Sequence, residues 1–564
     1  MSLRARASWS LVRWTLPVVL GFLFVLGDNL ALHNGSIDFS LSLFVLLVLF
    51  SVLFVTCFFL VEKVLFGHCF DEPALKKETT LFRLRSEIVR LYSDFDCSRN
   101  AILKCFLTIL ICWIPYLVAL YPGVYWSDTS SQLIQYYGGE TLTDHHPLLA
   151  TYVFGFFSAL GDQLFGSASA GLFCLVVLQL LSVAFLFSLL IAQSRRRGTP
   201  FLACFCILVF ISTFPFFPVM FSSLAKDTLS SVFFLAFVFC YIEGLDAIRD
   251  KSSLRTSLIV ALTISGVFAS LTKKTTAYVI LLTLLVMFFV ASERRFKLKI
   301  AFSAFVSFLI VFAIVPKIVL PALGGEKGGG QEAIATLIQQ VAHDVKYDDG
   351  SMSESDKETI DSFLSIEYDD IASAYDFQIV DNVKGRSLEN ENLLDDFVIL
   401  WAEKTIENPR GHFEAWLGLC HGWFGFSNKD LSPNYMVVCT SSEWYYEKVM
   451  DYVDWPIELS TGSRFARDLY DSLQSIPVIN ILFYRSFWAS IAPAFILFVA
   501  LGARKSKKLD LALISPLLIS ALTLLVVPVS GMGGEPTRYL LQLVIVAPFM
   551  LCHFARREKM GDLA

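Results

Sequence analysis

Apolar runs of membrane-spanning length recur along this 564-residue chain and constrain it more than any other feature. Each run of about 18 or more apolar residues has to be solvated by lipid or by a core. With 55% hydrophobic and 17% charged residues, too little polar surface is left to cover a soluble fold. The expectation is therefore a mainly α-helical polytopic transmembrane bundle with interfacial helices and a smaller extracytoplasmic domain.

The runs predict about twelve spans, near 11–31, 40–61, 101–121, 168–193, 200–219, 228–245, 256–272, 275–292, 300–320, 478–501, 509–528 and 538–553. The first lacks a small-residue cleavage site and is expected to be retained rather than removed as a signal peptide. Orientation follows from the basic turns. Arg4, Arg6 and Arg13, then Lys76, Lys77, Arg83, Arg85 and Arg90, then Arg195–Arg197, Glu293–Lys299, Arg504–Lys508 and Arg556–Arg557 all fall on one side when the spans alternate. The positive-inside bias makes that side cytoplasmic, with both termini inside. Four parts result: 1–99, two spans and a cytoplasmic link; 100–320, a transmembrane core with an outer loop at 122–148; 321–476, an outer segment; and 477–564, the last spans.

The outer segment holds 29 of the 51 Asp and Glu but only 11 of the 45 Lys and Arg, so most of its carboxylates read as a solvated acidic face. Gly324–Gly330 reads as a flexible hinge, and residues 352–365 as a capped surface helix. Cys420 and Cys439 are the two cysteines placed outside, where a disulfide is an option. Residues 147–165 are apolar but opened by Pro147 and interrupted by Gly155 and Gly161, which points to a helix along the outer interface roofing the loop beside it.

That loop, Tyr121 to Pro147, gathers polar function that is rare elsewhere: Asp128, Asp144, His145, His146 and Gln132, with Tyr125 and Trp126 among them. A carboxylate at the outer boundary can take a proton from an arriving hydroxyl or amine, or hold a divalent cation beside a phosphate. The plainer reading makes Asp128 a helix cap at Thr129 and the histidines a polar helix entry. Lys226–Asp227, Lys273–Lys274 and Glu535–Tyr539 with its Arg538 lie at outer ends of other spans, against the positive-inside bias. Singly such cations are snorkelling anchors, but four on one face suit a phosphate.

Tyr121–Gly123, Asp128, Asp144–Pro147, Lys226–Asp227, a Leu–Thr–Lys at 271–273 and Arg538–Tyr539 resemble the GT-C superfamily of integral membrane glycosyltransferases, and more closely an uncharacterised bacterial GT-C-like family of polytopic membrane proteins. The likeness covers the chain from about residue 100 onward. It implies a bacterial plasma-membrane enzyme that moves a sugar from a polyprenyl-phosphate donor to an extracytoplasmic lipid, polysaccharide or protein acceptor. By that analogy Asp128, then Asp144 with His145 and His146, carries the catalysis. Lys226, Lys273, Lys274 and Arg538 would bind the lipid phosphate, and Gln132, Tyr125, Trp126, Asp227, Glu535 and Tyr539 would line the substrate. The loop lacks an Asp-x-Asp pair, which leaves Mg or Mn as an option held by Asp128 and Asp144. Two readings from other classes stand beside it: a transporter or flippase of an anionic lipid-linked precursor, and a non-catalytic envelope assembly protein. Nucleic-acid binding has no support in a net acidic chain whose one long inner loop mixes charge signs.

Overall fold

The computed structural model describes residues 3–66, 99–385, 387–428, 430, 432–440, 447–455, 460–502, 507–528 and 535–555. The basic residues expected at 76–90, 504–506 and 556–557 lie outside them, as does most of the 529–537 loop. The protein is mainly helical. Among the described residues eight helices are long and apolar enough to cross a membrane: Leu11–Leu32, Leu41–Val64, Arg99–Ala119, Leu148–Phe165, Ala168–Arg196, Lys226–Arg249, Arg294–Ala322 and Lys508–Val526. Four shorter apolar helices, Phe201–Thr213, Thr256–Thr272, Lys274–Val290 and Phe487–Gly502, accompany them.

Backbone chemistry explains where helices and apolar runs part company. Phe201–Thr213 stops before Pro215, which has no amide hydrogen to continue the ladder, and a separate turn of helix, Phe216–Phe221, follows. Pro316 sits inside a wide-turn stretch, Ile310–Val319, where Arg294–Leu309 runs on as π-helix. Within Leu148–Phe165 the glycines are contact points rather than interruptions. Gly155 lies against the Tyr136 ring, and Gly161 meets the backbone of Gly171 on the Ala168–Arg196 helix. Small residues there let two helices approach backbone to backbone.

The interior is built on aromatics. Trp113 stacks on Phe221 at 6.0 Å between centroids, and its indole donates to the Ile211 carbonyl at 3.0 Å. Tyr241 ties the Lys226–Arg249 helix to the Lys507–Val526 helix by donating to the Ala512 carbonyl at 2.9 Å. At the far end of the same helix Arg196 pairs with Glu243, and Arg197 with Asp246 at 3.2 Å, so the basic triplet and this acidic pair share one end of the bundle.

The described residues of 321–476 form short helices around a buried polar centre. Asp344 accepts from Asn408 and lies 2.9 Å from the His412 ring, which also meets Thr405. Glu354–Phe363 is the capped helix expected, with Ser353 and Asp356 bonding reciprocally. Pro409–Phe424 packs on the first helix, where Asp28 accepts the amides of Phe426 and Ser427. Cys420 is a buried free thiol, so the disulfide with Cys439 is not formed. The glycine stretch is not a loose hinge either. Glu326 bonds to Leu142 and Asp144 in a parallel bridge, because residues without side chains let it press against the 122–148 loop.

Candidate functional site

Two dipeptides set the geometry. Val124–Tyr125 and Ser223–Leu224 form strands β1 and β2, a parallel ladder of two rungs, Val124 opposite Ser223 and Tyr125 opposite Leu224. One extended residue further on each side, Trp126 and Ala225, a helix begins: Ser127–Tyr136 and Lys226–Arg249. The side chain of Gln179 holds β2 from behind by donating to the carbonyls of Phe221 and Ser223, and Thr129 crosses over to the Leu224 carbonyl at 2.6 Å. Thr228 closes the turn by donating to the Ala225 carbonyl. Two helix starts are thereby fixed side by side. A third arises where Lys273, in extended conformation, separates Thr256–Thr272 from Lys274–Val290. Helix N-termini present unpaired amides and a partial positive charge, so cations gathered there need anionic company.

The company is two aspartates. Asp128 Oδ2 takes Arg538 Nη1 at 2.5 Å and Lys226 Nζ at 2.7 Å. Asp227 Oδ1 takes Lys273 at 2.6 Å, while its Oδ2 lies 3.8 Å from Arg538. Five charged side chains from four stretches of chain thus interlock with three positive and two negative members. The pairs differ in depth: Asp227 and Arg538 are 1% and 4% exposed, whereas the side chains of Asp128 and Lys226 are 17% and 16% exposed. The aromatic floor is Tyr539, under Lys273 at 5.1 Å and Arg538 at 5.2 Å, with Trp126 at 5.9 Å from the guanidinium. Burial works against ionising Asp128, but Arg538, Lys226 and His146 outweigh it and hold its carboxyl well below the usual carboxylate range.

Beside this cluster the 122–148 loop supplies the histidines. His146 is 6% exposed and its Nδ1 has no hydrogen-bond partner. Burial and then the positive Lys226 push its imidazole down to about 3, so it is neutral at physiological pH. His145 is exposed, with its ring 4.6 Å from that of His146. Asp144 accepts the Gly328 amide at 2.6 Å and pairs with Lys274 at 3.6 Å.

A family model described as "Family of unknown function (DUF6020)" matches residues 137–562, three-quarters of the sequence. The chain belongs to this family. No curated protein and no solved structure matches it. The DUF6020 match takes in Asp144, both histidines, Lys226, Asp227, both lysines at 273–274 and Arg538, and begins shortly after Asp128.

Within this DUF6020 chain, Asp128, Lys226, Asp227, Lys273, Arg538, Tyr539 and Trp126 come together as one cluster, and Asp144 with Lys274 forms a second pair. The capping reading of Asp128 is corrected. Trp126 precedes the helix, no side chain caps it, and Asp128 sits in the first turn with its carboxylate turned to Arg538 and Lys226. Gln132 lies inward, donating to Thr151, and Tyr125 packs on the Trp455 ring at 3.8 Å, so both support the floor from behind. The side chain of Glu535 lies outside the described residues. Sequence reasoning missed Gln179, Thr228, Trp455 and the Gly328 amide. Only Gln179, an amide midway along an apolar helix, carried a visible signal, since a polar group there needs a buried partner. Among the described residues no group of three or more His, Cys, Asp and Glu is arranged for a metal ion.

Proposed function

We propose that this chain is a GT-C-type glycosyltransferase with about twelve spans, both termini in the cytoplasm, and its active face on the outside of a bacterial plasma membrane. It moves a sugar from a polyprenyl-phosphate donor to an extracytoplasmic lipid, polysaccharide or protein. One observation carries the reading: three cations, Lys226, Lys273 and Arg538, are held at the adjoining starts of helices against only two carboxylates. That arrangement keeps positive charge in excess in a partly dry place, which suits a phosphate ester and would otherwise be costly to maintain.

The chemistry assigned is an inverting displacement at the anomeric carbon. The acceptor hydroxyl attacks, its proton passes to Asp128, and the sugar–phosphate bond breaks with the electron pair leaving on the lipid phosphate. Arg538 and Lys226 stabilise that anion, preorganised before the charge develops. His146, neutral and with its buried Nδ1 unpartnered, would bond the acceptor or a phosphate oxygen. A resident Mg or Mn does not fit this donor set. The Asp128 oxygen already takes two cations, and Asp144 takes Lys274 and an amide. The 321–476 segment selects the acceptor, and its Gly324–Gly330 stretch, braced on the outer loop, supports placing it at the mouth of the site.

The test is the envelope glycan profile, with accumulated polyprenyl-phosphate sugars, in cells carrying the intact protein or Asp128→Asn at matched membrane levels. Loss of one substituent with build-up of its lipid donor is expected. An unchanged profile on deletion of the whole protein would remove the transferase reading.

A further inference from the structure

We propose that Asp128 occupies the place of a phosphate oxygen, and that an arriving phosphate ester displaces it from Lys226 and Arg538, releasing the carboxylate as the donor binds. The inference rests on the reading that this cluster receives a phosphate group. It adds that the resting site is closed by its own aspartate.

Four observations carry it. First, both cations converge on one oxygen of Asp128, at 2.5 and 2.7 Å, as they would on a phosphate oxygen, which is the better partner for a guanidinium and an ammonium together. Second, the exchange needs no unpacking. Asp128 and Lys226 form the part-exposed rim, while Asp227, buried behind them, keeps Lys273 at 2.6 Å and stays 3.8 Å from Arg538. Arg538 therefore keeps a counter-charge after Asp128 leaves. Third, Asp128 stands in the first turn of the ten-residue Ser127–Tyr136 helix, so a side-chain rotation carries it off the cations while the helix start still favours its charge. Fourth, His146, buried with an unpartnered Nδ1, offers a ready hydrogen-bonding group to the released carboxylate or to the phosphate.

The functional consequence is an order of events. Clamped between two cations, Asp128 is a poor proton acceptor; once phosphate has taken its place it becomes a competent one. The acceptor is then activated only when a donor is present.

The experiment uses the full-length protein in nanodiscs, titrated with inorganic phosphate and, separately, with dodecyl phosphate. Asp128→Asn is expected to bind at least about tenfold tighter than wild type, the worth of one charge-assisted hydrogen bond no longer competed for. Glu140→Gln removes the same charge from an exposed place outside the cluster and should change affinity by less than about threefold, and Asp128→Glu should not tighten binding. Tighter binding of dodecyl phosphate assigns a lipid headgroup; equal affinities assign a free phosphate. Equal or weaker binding by folded Asp128→Asn, or a gain matched by Glu140→Gln, would overturn the exchange. A measurement on wild type guards against a variant that fails to fold: dodecyl phosphate should raise carbodiimide labelling of Asp128 relative to Asp144, read by mass spectrometry, and unchanged or reduced labelling counts against exchange. Tightened binding without any sugar transfer would sink the transferase and leave the exchange standing; Asp128-dependent transfer without tightened binding would do the reverse.

Discussion

Lys273→Met should destabilise the folded protein by about 3–5 kcal/mol, the usual penalty for removing one partner of a buried ion pair. Lys273 Nζ lies 2.6 Å from Asp227 Oδ1, and Asp227 is 1% exposed, so its charge has almost no access to water. Of the cations left to act on Asp227, Arg538 lies at 3.8 Å and is already bonded to Asp128 at 2.5 Å, and Lys226 is likewise paired with Asp128, so neither is well placed to compensate. The substitution also removes the ammonium above the Tyr539 ring. Replacing both partners tells a different story: Asp227→Leu with Lys273→Met leaves no stranded charge, and most of the loss should return. Lys226→Met, acting on a pair about one-sixth exposed, should cost no more than about 1–2 kcal/mol while abolishing activity. Thermal melting in one detergent reads all four proteins, with a drop of about 3–4 °C expected for Lys273→Met in a chain of this size. A Lys273→Met protein that melts with wild type, or a double variant no more stable than the single, would refute the reasoning from buried charge.

Arg538→Lys keeps the charge but loses the planar fork, so it cannot face Asp227 and a phosphate together; transfer activity should fall by more than about tenfold with little change in melting. Acid should weaken the fold through His146. Its folded value of about 3 lies below the ordinary 6.5, so the unfolded chain binds the extra proton in that window, and stability present above pH 6.5 is lost as pH falls toward 3. The slope should be at most about 1.4 kcal/mol per pH unit from this group, and His146→Leu should flatten melting temperature against pH between 4 and 6.5. Gly171→Leu should prevent correct packing of the Leu148–Phe165 and Ala168–Arg196 helices, because a side chain there meets the Phe157 carbonyl and Gly161; monodisperse elution of that variant at wild-type yield would contradict the close approach.

The helical segments were legible because lipid-solvated backbone must satisfy its own hydrogen bonds, and about 18 apolar residues in a row leave few other solutions. The candidate cations were legible for a related reason: Lys226, Lys273 and Arg538 stand where charge is expensive. What the order of residues did not reveal was which charge meets which. Asp128 and Arg538 are 410 positions apart, and nothing local encodes that distance. The Val124–Tyr125 and Ser223–Leu224 ladder was equally hidden, since two residues are too few to show an alternating pattern. Local rules misjudged two places. Capping chemistry claimed Asp128 where a distant guanidinium outbid the helix amides, and glycine content suggested freedom at Gly324–Gly330 where it instead permits close contact.

Arg538 enters the structure just ahead of the Leu541–His553 helix, whereas Asp128 belongs to its first quarter. During synthesis the aspartate is therefore delivered long before its strongest cation. A nascent chain halted just short of residue 538 carries two lysines against two aspartates and lacks the positive excess of the finished cluster. The last cation to arrive makes the excess of positive charge a property of the finished product, so stalled or truncated copies would lack the proposed phosphate site.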